Sequence, residues 1–354
     1  MTIKEHVHFE QNGHEKVFSR RQQDAARKHY AHSFLTILPG LKKGDKTLLV
    51  VAGPTAVGKT GVAIKIAQAF RTDVVSADSR QIFKELTIGT AKPSEEELAQ
   101  VRHHFVNTHS IKDDYDAAQY GRDALALISR LFEQHDVLIL CGGSGLYIQA
   151  VCDGFDDIPE VSPGLREQLV HQYEQHGVQW LQERMQQLDN DHFQQIDQKN
   201  PHRLIRALEV RLSTGKSISA FRTRNKITHA FSIVKIGLEL PREELYRRID
   251  DRMDSMIRQG LFDEAKKLYQ YKNRRALQTV GYQEIFDFMD GKYELDEAIR
   301  LLKRNSRRYA KRQLTWFKRD AEMNWFSGRD IEKIMEFVRL LKSGDTTNPT
   351  TVEQ

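Results

Sequence analysis

The stretch Gly53-Pro54-Thr55-Ala56-Val57-Gly58-Lys59-Thr60 has residues of the right type and spacing to hold a phosphate. It fits the P-loop pattern G-x-x-x-x-G-K-[ST], whose glycines let backbone N–H groups turn onto an anion. The apolar run Leu48-Leu49-Val50-Val51-Ala52 before it reads as a buried strand, and Val62-Ala63-Ile64-Lys65-Ile66-Ala67 after it reads as helix. A helix that starts at the loop adds the positive end of its dipole to the same anion. Lys59 would bring a point charge to the phosphate oxygens, and the Thr60 hydroxyl is a candidate ligand for Mg²⁺. All of 53–60 is therefore assigned to a di- or triphosphate site, against the blander reading of a glycine turn that binds nothing.

Chemistry beyond holding a phosphate needs a base or a metal contact, and Asp78 is the candidate. Asp73-Val74-Val75-Ser76-Ala77 reads as a short strand running into Asp78-Ser79-Arg80-Gln81. A carboxylate at the C-terminal end of a parallel strand faces the ligand crevice of an open α/β sheet. The competing reading is a helix cap, a common job for an Asp-Ser pair, and one residue can do both. The segment Ile88-Gly89-Thr90-Ala91-Lys92-Pro93 is turn-rich with one lysine. A third strand, Val137-Leu138-Ile139-Leu140, ends in Cys141-Gly142-Gly143-Ser144-Gly145, where a Walker-type NTPase would carry an Asp for Mg²⁺. That counts against a water-activating NTPase and leaves small-molecule kinases and group transferases. The glycines allow close backbone approach to a ligand, and Ser144 offers a hydroxyl there.

These groups require an α/β fold: a P-loop core with a parallel sheet flanked by helices, over 47–160 and 227–340. Between them, 161–226 is glutamine-rich and reads as a small all-helical insertion. Pro163 opens a helix through Leu165, Leu169 and Tyr173 that Gly177 ends, and Trp180, Leu181 and Met185 suggest a second. Asn200-Pro201 is an N-cap with proline at the first helical position, and Gly215 suits a C-cap. Leu204, Leu208 and Leu212 form the apolar stripe between them, with Arg203 and Arg206 on a neighbouring face. A fourth strand is expected over 231–238, then a helix starting at Pro241 with Arg242 near its positive end, able to extend the phosphate site.

Over 303–319 there are eight Lys and Arg and no acids. At 100° per residue, Arg304, Arg307, Arg308, Lys311, Arg312, Lys318 and Arg319 share one arc, with Leu302, Tyr309, Trp316 and Phe317 opposite. One face would pack on the core while the other offers a basic ridge to nucleic-acid phosphates. A formal net charge of +5 over 354 residues permits this without requiring it. With only Cys141 and Cys152, a disulfide scaffold and a Cys-rich zinc site are disfavoured. No apolar run nears the ~20 residues of a membrane span, and no secretory signal is seen, so a cytoplasmic location is expected. The polar extension 1–46, with five histidines and a basic patch at 20–28, is given no function, and 341–354 is expected to be a disordered tail.

Six segments occur in order: GPTAVGKT, DSRQIFKELTIGTAKP, GGSGLYIQAVCDG, NPHRLIRALEV, TVGYQE and AKRQLTWFKR. Together, from about 47 to about 326, the chain resembles the bacterial-type tRNA dimethylallyltransferase (tRNA isopentenyltransferase) family. The resemblance implies transfer of a dimethylallyl group from dimethylallyl diphosphate to N6 of adenine 37 of tRNA. The P-loop would then hold a diphosphate leaving group, with Mg²⁺ on Thr60. It implies catalytic roles for Asp78, Thr55 and Arg242, the last on the diphosphate. It implies tRNA contacts at Asp78, Ser79, Arg80, Gln81, Ser144, Arg166, His202, Arg203, Leu204, Ile205 and Arg206. Arg308, Lys311 and Arg312 of the basic ridge join them. Ser144 stands where many relatives have threonine, which keeps the hydroxyl. The two-cysteine count disfavours the eukaryotic type with a C-terminal zinc finger, and a monomer is expected. The rival readings are a P-loop kinase acting on a small alcohol and a non-catalytic RNA-binding protein stabilised by a nucleotide.

Overall fold

The structure, a computed structural model, describes residues 45–156, 158–159, 161–162, 164–221 and 226–343. The expectations for the extension up to residue 44, for the helix start at Pro163 and for the tail beyond 343 lie outside these residues. By its contacts the chain divides into two compact units, residues 44–335 and residues 1–43 with 336–354.

Six strands build one sheet: β1 (Thr47–Ala52), β2 (Val74–Ser76), β3 (His103–His104), β4 (Val137–Gly142), β5 (Ser232–Glu239) and β6 (Met323–Ser327). Their order is β3-β2-β4-β1-β5-β6, and every pairing is parallel. A parallel strand covered on both faces needs a continuous apolar run, which is why β1 reads as Thr-Leu-Leu-Val-Val-Ala and buries every residue. The four inner strands match the apolar runs in the sequence. The edges β3 and β6 were not expected: one is two histidines long, and the other is only partly covered.

The helices in chain order are α1 (Lys59–Phe70), α2 (Glu95–Gln100), α3 (Ala117–Leu131), α4 (Gly145–Cys152), α5 (Leu165–Leu188), α6 (Asn190–Phe193), α7 (Pro201–Thr214), α8 (Arg242–Arg258), α9 (Leu261–Leu268), α10 (Gln283–Met289), α11 (Leu295–Phe317) and α12 (Ile331–Ser343). Leu48, Val50 and Ala52 share an apolar cluster with Tyr120 and Ala124 of α3 and Ile148 and Val151 of α4. Leu49 and Val51 face the other way, where α1 packs on β1 and β4. In the second unit only 336–343, the later turns of α12, are described. Among the described residues no helix is long and apolar enough to cross a membrane.

The insertion has its own core, formed by Leu169, Leu181 and Met185 of α5 against Leu204, Ile205 and Leu208 of α7. Gly177, at φ 75°, breaks α5 where the sequence suggested one helix ends and another begins. Asn200 caps α7 by accepting the Arg203 N–H, and Gly215 closes it in the left-handed region at φ 71°. Leu212 departs from the expected stripe and is exposed. Eight residues turn a helix 80° past two full turns, so Leu212 has rotated off the face that Leu204 buries.

Candidate functional site

Parallel register sends β1, β2 and β4 out at the same edge of the sheet, and each ends in a loop that carries chemistry. After β1, Gly58 takes φ 103°, a conformation that L side chains avoid, and so frees the first amides of α1 to point into the loop. Lys59 Nζ donates to Pro54 O at 2.8 Å, closing the loop on itself. Burial pushes the Lys59 ammonium down to about 8, opposed by nearby Asp78 and reinforced by nearby Arg252.

Arg252, from the middle of α8, donates from Nη2 to the Thr55 hydroxyl. Burial lowers its pKa, with Asp78 acting the other way. Arg80 is likewise lowered by burial, beside Tyr309 and Tyr147. Among the described residues none of Lys59, Arg80 and Arg252 forms an ion pair. Three cations with Asp78 as the one carboxylate acting on all of them leave positive charge in excess, which suits the site to an anion. Arg252 was missed in the sequence. Its only signal is its place between Ile249 and Met253, beside the face that α8 buries. Arg242, expected at the phosphate, sits in the first turn of α8, exposed, with its guanidinium 5.2 Å from the Tyr246 ring centre.

Asp78 follows β2. Its Oδ1 accepts the N–H groups of Arg80 (2.9 Å) and Gln81 (3.3 Å), so the capping role is present. Its Oδ2 accepts no hydrogen bond among the described residues, which leaves one oxygen for other work. Ser144 Oγ accepts from Ser79 N at 2.9 Å and lies 3.1 Å from Ser79 Oγ, joining the loops after β2 and β4. Gly142 is required there, since a Cβ would come within 2.1 Å of Ala77 O. Tyr147 stacks on Tyr120 at 4.2 Å, and burial lifts its phenol to about 12. Tyr309 is also lifted to about 12 by burial, close to Asp78 and Arg80.

The later half of the second sequence segment, 86–93, and the TVGYQE segment prove to be scaffold. Glu264 of α9 accepts the N–H groups of Thr87, Ile88 and Gly89 and the hydroxyl of Tyr282. A Cβ at Gly89 would come 2.6 Å from that Tyr282 ring. Lys92 donates to Phe83 O and Asn107 Oδ1, both at 2.5 Å, and Gln81 Nε2 donates to Ala91 O at 3.0 Å. The turn at 88–93 thus braces the Asp78 loop from behind.

Helix α11 crosses this edge and buries Ala298, Leu302, Ser306, Ala310, Gln313 and Phe317. The basic arc needs correcting on both sides. Arg307 bonds Asp250 and Lys303 bonds Asp254, so these two cations fasten α11 to α8. Arg308, Lys311 and Arg312 are exposed. Trp316, placed inward from the sequence, is also exposed, its indole lying over Gly145. Gln313 Oε1 accepts Thr55 N–H at 2.9 Å, and its Nε2 donates to Gly143 O at 2.8 Å.

In the insertion, Arg166 and Arg206 both bond the buried carboxylate of Glu209, at 2.8 and 3.3 Å, while His202 and Arg203 are exposed. Leu204 and Ile205, implied as tRNA contacts, are 0% and 2% exposed and lie in the insertion core, so they cannot touch a ligand directly. A cavity of about 450 Å³ lies between α4 and the end of α11, with Ile148, Cys152, Lys235 and Trp316 in its wall. Its buried Lys235 is balanced by Asp320 at 2.8 Å and Glu322 at 2.7 Å, unlike the cations at the loop.

Thr60, at the start of α1, makes no side-chain hydrogen bond among the described residues. Among the described residues no three His, Cys, Asp or Glu side chains gather to hold a metal there. The donor set fits Mg²⁺ held by one hydroxyl with diphosphate oxygens and water completing its shell, the usual arrangement for this ion beside phosphates.

Residues 81–320 match the model of the IPP transferase family. A tRNA dimethylallyltransferase of Cytophaga hutchinsonii is 51% identical over 294 residues, 83% of this chain and 97% of that protein. The tRNA dimethylallyltransferase 1 of Bacteroides fragilis is 45% identical over 294 residues, 83% of this chain and 98% of that protein. The full-length tRNA isopentenylpyrophosphate transferase of Bacillus halodurans aligns with a TM-score of 0.62 at 37% identity, over 84% of this chain and 97% of that one. A eukaryotic dimethylallyltransferase acting on tRNA shares the fold, with a TM-score of 0.72 at 24% identity over 86% of this chain and 81% of that one. With a family model over 81–320 and relatives this similar along nearly their whole length, the chain belongs to the IPP transferase family, that of the tRNA dimethylallyltransferases.

Proposed function

We propose that this protein transfers a dimethylallyl group from dimethylallyl diphosphate to N6 of adenine 37 of tRNA, beside the anticodon. The observation that carries this reading is the excess of positive charge that Lys59, Arg80 and Arg252 place around the P-loop, next to the open oxygen of Asp78. As the donor's C1–O bond lengthens, negative charge grows on the diphosphate, and the loop amides, Lys59 and Arg252 neutralise it. Thr55, a loop residue whose hydroxyl Arg252 grips, would help to position the reacting groups. Where Mg²⁺ binds, it adds positive charge beside the same oxygens.

Adenine 37 has to leave its stack to present N6, the problem base-modifying enzymes solve by flipping. The new C1–N6 bond forms as the C1–O bond breaks, and Asp78 Oδ2 takes the proton that N6 loses. The products are N6-(dimethylallyl)adenosine and diphosphate. The exposed cations of α11 and the insertion's arginines hold the anticodon arm by its phosphates. One chain carries all these groups, so a monomer suffices, and the cytoplasm is where its tRNA substrate is found.

The test is transfer of label. Protein incubated with tRNA and either labelled dimethylallyl diphosphate or γ-labelled ATP should move the prenyl label to tRNA and leave the phosphate label untouched. Transfer of phosphate to a small alcohol would select the kinase reading instead, and transfer of neither would select the non-catalytic one.

A further inference from the structure

On the reading that the P-loop takes the donor diphosphate and Ser144, in the turn after β4, contacts the tRNA, we propose that Gln313 is a positioning residue. It sets the spacing between those two halves of the site. Gln313 is 7% exposed and lies in the stripe by which α11 packs, between Ala310 and Phe317. An amide in such a stripe is unfavourable unless both of its ends are bonded. Both ends are bonded, and to different loops.

The last register pair of β1 and β4 is Ala52 with Gly142. Beyond it the two loops diverge, and among the described residues no backbone hydrogen bond joins 53–58 to 143–145. Gln313 supplies the missing link, taking the Thr55 N–H on one side and giving an N–H to Gly143 O on the other. A Cβ at Gly143 would come 2.5 Å from Gln313 Nε2 and 3.5 Å from Lys59 Nζ, so the amide occupies the space a side chain would fill. Through Thr55 the same link fixes the hydroxyl that Arg252 grips. Only a side chain with a donor and an acceptor at its tip, on a stem of this length, serves both loops. The neighbours Lys311 and Arg312 are exposed, so the turn of α11 that offers cations to RNA also holds the donor loop.

The experiment compares Gln313→Met, close in shape and lacking both bonds, with Gln313→Glu, which keeps the acceptor and loses the donor. Four quantities are read: single-turnover transfer with saturating tRNA and dimethylallyl diphosphate, affinity for inorganic diphosphate with Mg²⁺, affinity for an anticodon stem-loop RNA, and hydrogen exchange of the Thr55 amide. The Met variant should react about 10–100-fold slower, the order of loss expected when reacting groups are misplaced by about an ångström. Its Thr55 amide should exchange faster while RNA affinity stays within about threefold. The Glu variant should keep Thr55 protected and still lose rate. A Met variant that reacts within about threefold of wild type, or whose Thr55 amide exchanges as slowly, overturns the proposal. So does a loss of rate matched by an equal loss of folded protein in both variants. The exchange and diphosphate readings need no turnover. A protein that transfers no prenyl group yet shows them altered would retire the assigned reaction and leave the positioning role standing.

Discussion

Asp78 illustrates how one carboxylate serves two ends. Oδ1 is spent on the N–H groups of Arg80 and Gln81, and Oδ2 is open. Asn in its place keeps an oxygen for the cap and removes the proton acceptor. Asp78→Asn should therefore lower the single-turnover rate by roughly 10²–10⁴-fold, the usual worth of a positioned general base, with little change in RNA affinity. A rate within threefold of wild type would assign Asp78 to the cap alone. Lys59 gives a pH signature. Burial holds its ammonium at about 8, so it is charged below that pH and loses its charge as pH rises through it. Diphosphate affinity of the free protein should fall across that interval, and Lys59→Arg should flatten the profile because a guanidinium stays charged. Calorimetric titration of diphosphate from pH 6 to 10 reads both variants. The P-loop lysine and Asp78 were legible because a short motif and a strand end announce them. Arg252 was not, since nothing local separates an arginine that enters a site from one that enters solvent.

At the scale of the element, α11 shows what a helical wheel reads and what it misses. The wheel finds the period, and the buried positions do recur every three or four residues along 298–317. It sorts by hydropathy, however, and a helix lying over a reaction site turns polar groups inward to reach it. Gln313 is buried for that reason, while Trp316 is left exposed. The ridge divides likewise, for Arg307 is held by Asp250 and Lys318 by Glu239, while Arg308, Lys311, Arg312 and Arg319 are exposed. Replacing Arg308, Lys311 and Arg312 with Gln should weaken tRNA binding and flatten its log–log dependence on salt by close to one unit per lost phosphate contact. Arg307→Gln should leave the slope alone and instead loosen α11 from α8, seen as a lower unfolding midpoint. An unchanged slope in the triple variant would mean that the ridge does not face RNA.

Across the whole molecule, what was readable follows burial. Inner strands are apolar runs because both their faces are covered, so β1 and β4 are plain in the sequence. β3 and β6 pair on one side only and carry no such run. Helix caps in the insertion were legible because Asn200, Pro201 and Gly215 are stereochemical requirements, whereas the turn at 88–93 owes its shape to Glu264 and Tyr282, some 175 to 195 positions away. The insertion's core is separate from the cluster under the sheet, and this separation makes a prediction. Leu208 is fully buried between α5 and α7. Leu208→Ala should remove about 2–5 kcal/mol from the insertion, the range for a buried Leu truncated to Ala. Because the P-loop, Asp78 and Arg252 rest on the other cluster, diphosphate affinity should stay within about twofold of wild type. RNA affinity should fall, since Arg166 and Arg206 would lose their fixed spacing around Glu209, and His202 and Arg203 their place on α7. Melting followed by near-ultraviolet dichroism should gain an early transition, with Trp180 of the insertion as reporter. If diphosphate and RNA affinities fall together with a single lowered transition, the two cores unfold as one, and the insertion does not act as an independent grip.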